Sequence, residues 1–577
     1  MTAETQRTLI AVARKVVLAC LVLLIAWLGL WGLRGTIPAR AIQQLNAEKM
    51  MDWESPTGEI SLNSRDWDWS RSLWSGKPVS DVVGARLGTT VGIMALGGVL
   101  SLLTACLVLF IGILISRVTR RPPWLAKTSG ILRLVLVSAA VSAPFFAWET
   151  LVIVYPSLWW GWTPSALLTA ALFVSVLPAW LLVQYGHGEI STWPEKPAPF
   201  EAQTWRRLVP SLSIRLLKLV GAVAVLTVLA EQNAAILGLG RTLTDTVNRR
   251  DFTLLFAMVW AFVIIVVLVK LAADLIELAY ARYAHAHDQT AAAHLPAAGN
   301  FGIPRWWLIV CLVLVAFFAV AAVATPVIAP YDYNEMSIGA RIMPPSAAHV
   351  LGTDNLGRDL FSRLLFALRE DILLSLFAVA IVFVVAVGWA MLAAHVRRRN
   401  DWRGDTVEDM VLLPGDILCA FPWLALLLLL RTIWGVPSGS PLTFAESVLP
   451  LVLIIGLLLL PRAAGMIREG YRSPATGDGL FRSVLSSLPA AFLFALAGGI
   501  LYMATVGYIG FGVPPPQPEL GSLLSGPARR YMLQAPWMAV WPATTLMLLM
   551  LVLVMAGDAL LERMGFKSKA IWSKVWE

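Results

Sequence analysis

One short string, LGTDNLGRD at residues 351–359, contains charged residues close enough together to interact. Glycines alternate in it with charges of both signs. Glycine permits tight turns that other residues disfavour, and opposite charges this close together form ion pairs. The chemistry predicted here is charge pairing that holds a loop in place. The residues concerned are Gly352, Thr353, Asp354, Gly357, Arg358 and Asp359.

Two glycine-spaced turns form a second pattern. ILGLGR at 236–241 and YIGFGV at 508–513 each follow an apolar run and precede a polar loop and a final apolar run. One such turn is common by chance, but two in matching positions are much less so. They predict a parallel duplication of the kind that builds transport pathways at a repeat interface. Their residues are Gly238, Gly240, Arg241, Gly510 and Gly512.

No constellation typical of an enzyme accompanies these motifs. All four cysteines lie within apolar stretches without a CxxC, and the histidines show no HExxH spacing, so neither disulfides nor metal sites are predicted. There is no GxxxxGKS or GxxxxGKT phosphate loop, so the chain is not expected to bind or hydrolyse ATP. The sequence therefore predicts a non-enzymatic protein that binds no cofactor of its own.

The elements that position these motifs must be membrane helices. The chain has 577 residues, of which 58% are hydrophobic and 14% charged, and a mean hydropathy of +0.72. Soluble domains carry about 25% charged residues, and a chain of this length could not bury so much apolar surface internally. The net charge of +9 does not indicate nucleic acid, because the basic residues lie between apolar runs instead of on one face.

A helix needs roughly 20 apolar residues to cross a bilayer core. By this length we predict an all-α integral membrane protein of about 12 transmembrane helices in two six-helix repeats. The spans are 16–33, 87–116, 131–155, 164–183, 212–231 and 254–279, then 305–329, 370–394, 408–430, 446–466, 490–512 and 538–562. The first half is 1–283, with an outer loop at 34–86. A linker at 284–304 leads to the second half, 305–577, with an outer loop at 330–369.

Basic residues set the predicted orientation. They concentrate at 117–133, 196–218, 397–403 and 462–482 and in the C-terminal tail. Given the order of the predicted spans, all these segments lie on the same side of the membrane. The positive-inside rule makes this side, and both termini, cytoplasmic. The predicted outer loop 232–253 also carries arginines, so the rule holds in bulk and not for every loop.

Four charged residues fall within predicted spans, where charges are costly and often functional. They are Glu149, Lys270, Asp274 and Asp416. Lys270 and Asp274 are four residues apart, so a pair on one helix is the simplest interpretation.

With Ser362 and Arg363, the string at 351–359 resembles the periplasmic signature of one permease subunit of oligopeptide, dipeptide and nickel ABC importers. The stretches 416–422, 510–516 and 535–537 are similar to later parts of that subunit. In the first half, Glu231 and residues 238–241 and 250–252 resemble the last outer loop of the partner subunit. The resemblance covers nearly the whole chain and places both subunits on one polypeptide.

The resemblance implies a permease in the inner (cytoplasmic) membrane that passes peptides or related small solutes. Two ATPase subunits, or one fused pair, would carry the ATP and magnesium, and a periplasmic or extracellular solute-binding protein would deliver the cargo. In that setting the string has two interpretations: Asp354, Arg358 and Asp359 either hold the loop over the pore mouth or contact the docked binding protein.

In this family a short cytoplasmic helix before the fifth span of each half contacts the ATPase. The corresponding positions here are Glu201, Trp205 and Arg206 in the first half and Gly479, Phe481 and Arg482 in the second. Neither segment keeps the family's Glu-Ala-Ala and glycine pattern. This departure leaves a diverged ATPase, an abbreviated contact or a loss of contact as alternatives. Trp205 and Phe481 are either anchors in an ATPase groove or aromatic residues of the membrane interface.

An ion-coupled secondary transporter with two six-helix repeats is the alternative function. It does not require the string at 351–359, and it usually carries more intramembrane charge. A membrane enzyme is a weaker third class, because no catalytic constellation is present.

Overall fold

The computed structural model describes residues 3–37, 67–118, 165–190, 200–287, 305–397, 402–434, 444–472, 480–532 and 534–563, with 42 and 46. Throughout these residues the secondary structure is helical, and strand pairing is limited to isolated bridges at Arg71–Pro78 and Thr353–Asp359. Many large apolar side chains point outward from the helices, as Val327 and Leu107 do. A lipid environment is what such a surface requires.

The first half combines long apolar helices with shorter ones. They are α1 (Ala3–Leu33), α2 (Val79–Val118), α3 (Ala166–Ile190), α4 (Ala202–Lys218), α5 (Val220–Asn233), α6 (Leu239–Asn248) and α7 (Phe252–His287). A 3₁₀ turn, Arg34–Thr36, follows α1.

The second half also combines long apolar helices with shorter ones. Its helices are α8 (Arg305–Ile328), α9 (Leu360–Arg397), α10 (Trp402–Ala420), α11 (Trp423–Trp434), α12 (Phe444–Arg472), α13 (Leu480–Ile509), α14 (Leu520–Leu523), α15 (Gly526–Arg530) and α16 (Trp537–Arg563). A 3₁₀ turn, Ile338–Ala340, lies between α8 and α9.

The membrane class of the protein is confirmed. In the described residues, nine helices are long and apolar enough to cross a bilayer, and two bent helix pairs raise the number of candidate spans to 11. Each coincides with a predicted span. The remaining predicted span, 131–155, lies outside the described residues.

Two predicted spans are bent instead of straight. The pair α4–α5 bends by 64° and the pair α10–α11 by 82°. At the second break stands Pro422, which has no N–H to continue a helix. At the first, α4 carries basic side chains that favour a course outside the hydrocarbon, whereas α5 is apolar.

Equivalent helices of the two halves make equivalent contacts. The first span of each half packs against its last: α1 against α7 and α8 against α16. The second span packs against the fourth, α2 against α3 and α9 against α12, and the fourth against the fifth. Because these pairings recur in the same order, the duplication extends from the sequence to the packing.

The broken helix pair α10–α11 joins the halves. It contacts α1, α5, α6 and α7 of the first half. Near the break, Lys270 of α7 donates to the carbonyl oxygen of Cys419 at 3.3 Å, and Trp423 stacks on Tyr502 with 3.9 Å between ring centroids. The two halves therefore form one packed unit.

Three predicted boundaries need correction. α2 begins at Val79, inside the predicted loop 34–86, and α9 begins at Leu360, inside the predicted loop 330–369. α7 continues to His287, past the predicted end of the first half at 283. In each case polar residues extend the helix beyond the apolar run, which alone sets a prediction from hydropathy.

Candidate functional site

Asp354 organises the motif loop, which we define as residues 331–363. Its Oδ1 accepts the N–H groups of Leu356 and Arg358 at 2.8 and 3.0 Å. Its Oδ2 lies 2.7 Å from Nε of Arg358 and 3.6 Å from Nε of Arg363. The carboxylate is buried, so these hydrogen bonds and ion pairs fix the turn within the protein.

Asp359 joins the motif loop to α9. It stands directly before the helix, and its Oδ2 accepts both the N–H and the hydroxyl of Ser362 at 2.8 Å. Aspartate in this position satisfies N–H groups that have no partner within the helix. Its Oδ1 lies 3.0 Å from Nδ1 of His349, whose ring contacts Tyr331. Asp359 thus ties both ends of the loop to one helix.

The two glycines of the string are required by backbone geometry. Gly352 and Gly357 have φ angles of +82° and +76°, in the left-handed region. A Cβ on Gly357 would overlap the carbonyl oxygen of Ser337, and one on Gly352 would lie 2.7 Å from Nε1 of Trp537. That nitrogen donates to the carbonyl oxygen of Thr353 at 3.3 Å, so the loop packs on the start of α16.

The polar residues of the string are therefore engaged within the protein. Thr353, Asp354 and Asp359 are buried, and Arg358 and Arg363 are nearly so. This arrangement suits the loop-holding interpretation. A contact with a docked protein would use residues around the string, such as the exposed Met336 and Ile338.

The first half holds its own outer segment through Asp251, directly before α7. Its carboxylate accepts the N–H groups of Leu73 and Trp74 at 3.1 and 3.2 Å and a hydrogen bond from the Ser72 hydroxyl. It also accepts the N–H of Leu254 within α7 at 3.2 Å. Both halves thus use a buried aspartate at a helix start, but on different helices of the repeat.

A buried glutamate explains the first glycine turn. Glu231, at the end of α5, is 0% exposed. Its Oε2 accepts the N–H groups of Gly240 and Arg241, at 2.7 and 3.1 Å, in the first turn of α6. A Cβ on Gly238 would overlap this carboxylate, and one on Gly240 would lie 2.6 Å from Cα of Val228. Arg241 contributes its backbone to this site.

Thr90 of α2 completes the same site. Its hydroxyl donates to Oε1 of Glu231 at 2.6 Å and accepts the N–H of Leu239 at 2.7 Å. The first three N–H groups of α6, which lack partners within the helix, are thus all satisfied from α2 and α5. We call this arrangement of Glu231, Thr90 and the start of α6 the first carboxylate turn.

The second half contains a corresponding arrangement, the second carboxylate turn. Glu519 is 1% exposed, and a Cβ on Gly507 or Gly512 would overlap its Oε1. Leu520, the first residue of α14, donates its N–H to Oδ2 of Asp371 on α9 at 3.2 Å. Gly510 has a φ angle of +97°, which allows the chain to turn.

The two turns meet at the seam between the halves. The hydroxyl of Tyr508 donates to Oδ1 of Asn233 at 2.7 Å, and Nη2 of Arg529 donates to the carbonyl oxygen of the same asparagine at 3.4 Å. Asn233 follows Glu231 by two residues, and Tyr508 precedes Gly510 by two. The carboxylate turn of each half therefore lies next to that of the other half.

The predicted ATPase-contact residues of the first half lie at the opposite end of the bundle. Trp205 packs near Phe110, close to the end of α2, whereas the carboxylate turns lie near the starts of α2 and α9. Trp205 is half-buried in an apolar cluster with Leu208 and Leu212. Glu201 and Arg206 are exposed. Gly479 lies outside the described residues, and the side chains of Phe481 and Arg482 are likewise not described.

The intramembrane charges are distributed over several helices. Asp274 takes partners from elsewhere, with Nζ of Lys15 at 2.9 Å and Nζ of Lys218 at 4.0 Å. Lys270 reaches the Cys419 carbonyl oxygen instead of acting only along its own helix. Glu149 lies outside the described residues.

Sequence reasoning missed Thr90, Asn233, Asp371 and Glu519 as site residues. Glu519 and Asp371 carried a usable signal, because a lone carboxylate beside a glycine turn or within an apolar run requires a partner. Thr90 and Asn233 carried none, since they belong to common residue types and their partners lie far away in the sequence.

Comparison with known proteins gives this architecture its class. The dipeptide transport system permease protein DppC of Haemophilus influenzae is 30% identical over 277 residues, which cover 45% of this chain and 90% of that protein. The glutathione transport system permease protein GsiD of Pectobacterium atrosepticum is 27% identical over 280 residues, covering 45% and 85%. The probable D,D-dipeptide permease DdpC of Escherichia coli is 28% identical over 268 residues, covering 44% and 86%. No protein-family model matches the sequence.

The helical bundle and its relatives define a multi-pass transport permease. More specifically, the chain belongs to the ABC-importer permease family that includes these dipeptide and glutathione transport proteins. Each relative matches a little under half of it, so the chain is a permease with two halves on one polypeptide. Family membership decides against the ion-coupled secondary transporter.

We predict that Gly357→Ala destabilises the protein strongly. A Cβ at this left-handed position would meet the Ser337 carbonyl oxygen, and the strain alone costs about 1–2 kcal/mol. The midpoint of thermal unfolding in lipid nanodiscs measures the loss. Gly388→Ala on α9 is the matched control, because nothing lies within 4 Å of an added Cβ there. Equal midpoints for the two variants would contradict this reading of the motif loop.

We predict that Asn233 and Tyr508 are energetically coupled across the seam. Asn233→Ala and Tyr508→Phe each remove one partner of the 2.7 Å hydrogen bond. Their effects on stability should fall short of additivity by about 1 kcal/mol in a double-mutant cycle. Strict additivity would show that this contact does not join the halves.

Proposed function

We propose that the chain is the complete translocation pore of an importer for peptides or closely related small solutes. ATP hydrolysis takes place on separate ATPase subunits, two chains or one fused pair, and a solute-binding protein delivers the cargo. The observation that carries the proposal is the paired repeat: equivalent helices pack alike, and the carboxylate turns of the two halves meet at one seam. The names of the relatives, which refer to dipeptides and glutathione, support the cargo class.

The proposed orientation places the motif loop and both carboxylate turns on the outer side. The protein then lies in the inner (cytoplasmic) membrane, with α4 and both chain termini on the cytoplasmic side. The basic segment around α4 and the basic C-terminal tail support this orientation through the positive-inside rule. Cargo would enter beside the seam and leave at the end of the bundle that carries α4.

The proposed ATPase contact lies at the start of α4. This helix buries Thr204, Leu208 and Leu212 against the bundle and leaves Glu201 and Arg206 exposed. Phe200, directly before it, is 81% exposed and touches Phe110 only by its edge, at 5.4 Å between centroids. Large aromatic residues dominate protein contacts when buried there. We therefore place the main anchor at Phe200 and give Trp205 the role of fixing α4 to the bundle.

The test is uptake of a labelled dipeptide into proteoliposomes that contain the chain, its ATPase subunits and its binding protein. We expect uptake to require ATP and to persist when proton and sodium gradients are collapsed. Phe200→Ala should lower ATP-driven uptake about tenfold by weakening ATPase attachment. Phe317→Ala on α8, where the phenylalanine is also exposed, is the control and should leave uptake unchanged. Uptake that follows an ion gradient without ATP would overturn the proposal, and equal losses for the two variants would remove Phe200 from the contact.

A further inference from the structure

The two carboxylate turns are alike in position but differ in one residue type. In the first, Thr90 of the second span and Glu231 surround the start of α6. In the second, Asp371 of the second span and Glu519 surround the start of α14. Thr90 accepts the N–H of Leu239 just as Asp371 accepts that of Leu520. A carboxyl group thus stands where the first half has a hydroxyl.

The hydroxyl of Thr90 supplies a hydrogen atom that an ionised Asp371 cannot supply. Through that hydrogen, Thr90 donates to Glu231 at 2.6 Å while its oxygen accepts from α6. In the second half, Oδ1 of Asp371 is buried without a hydrogen-bond partner among the described residues. The carboxyl group of Glu519 is also buried, and the backbone N–H groups of Val513 and Ser522 approach it without forming hydrogen bonds of normal geometry. Buried oxygens of this kind are costly unless a donor reaches them. A proton bound between the two carboxyl groups is such a donor.

The charges around the second turn also indicate one bound proton. The charged groups that act on Glu519 are Asp371 and Glu370 of α9 and Arg431 of α11. Nη2 of Arg431 donates to the carbonyl oxygen of Gly512 at 3.3 Å, inside the turn. Glu370 is only partly buried and lies near Arg369. The fully buried set is therefore two carboxyl groups and one guanidinium, and one bound proton makes it neutral.

We propose that Asp371 and Glu519 form a proton-binding site in which the two carboxyl groups share a single proton. The proton takes the place of the Thr90 hydroxyl hydrogen and ties the second glycine turn to α9. Its loss leaves two buried negative charges side by side, which push the turn away from α9.

The direction of the pH dependence follows. Burial, and then the charge of Asp371, raise the pKa of Glu519 well above its usual range. In the unfolded chain both carboxyl groups ionise at ordinary carboxyl pKa values. Between that range and the raised pKa the folded protein therefore binds more protons than the unfolded one, and its stability falls as the pH rises through this window.

The test uses Asp371→Asn in the full chain in lipid nanodiscs. The asparagine amide supplies a permanent donor and keeps an oxygen for the Leu520 N–H, so it imitates the protonated aspartate. We expect the thermal midpoint of the wild type to fall from neutral to alkaline pH and that of D371N to change much less. Thr90→Val is the matched control. It removes the Thr90 hydroxyl, and with it both the hydrogen donated to Glu231 and the oxygen that accepts the Leu239 N–H. It should therefore lower the midpoint at neutral pH and leave the alkaline fall in place.

Infrared spectroscopy counts the proton directly near neutral pH. The changes from wild type to D371N and then to D371N/E519Q should together remove one carboxylic acid C=O band and one carboxylate, in either order. Loss of two carboxylates over the two steps would mean that the pair holds no proton, and loss of two acids that it holds two. Either result would overturn the shared proton, as would an alkaline fall in D371N as large as in the wild type.

Discussion

The structure depends on how a buried carboxylate fits into a glycine turn. In the first half, the space that a Cβ on Gly238 would occupy is taken by the carboxylate of Glu231. That carboxylate satisfies the start of α6, and α6 then leads into the last span. In the second half, Glu519 occupies the corresponding space against Gly507 and Gly512. Each turn therefore fixes the second, fifth and last spans of its half, and the two turns meet at Asn233 and Tyr508.

Burial decides which polar groups need a partner. A backbone N–H or C=O that is buried away from water must find its partner within the protein. The helix starts at α6, α9 and α14 would leave several N–H groups without one, and buried side chains from other helices supply the acceptors. This requirement explains why the motif residues are buried rather than displayed.

Much of this architecture could be predicted from the sequence. The length and spacing of apolar runs located every candidate span in the described residues, because a fixed bilayer thickness translates directly into residue number. The string at 351–359 indicated paired charges for the same local reason: Asp354 and Arg358 are four residues apart and meet without any tertiary information. The glycine turns indicated the repeat. Each of these features is local or strictly periodic.

The remaining features depend on contacts between distant residues. Nothing in the sequence pairs Thr90 with Glu231, Asp371 with Leu520, or Asn233 with Tyr508, since each pair is set by helix packing. Hydropathy did not reveal the bends at Leu219 and Pro422, and the half-buried position of Trp205 depends on the neighbouring α2. Hydropathy reports how apolar each residue is. These features depend instead on which residue of another helix packs against it.

The central claim is that one polypeptide supplies both halves of the pore. The mass of the intact transporter, measured by native mass spectrometry after extraction with its ATPase subunits, tests it most directly. The account predicts one copy of the 62.9 kDa chain for each pair of ATPase domains. Two copies per pair of ATPase domains, or one copy with a second permease chain, would contradict it.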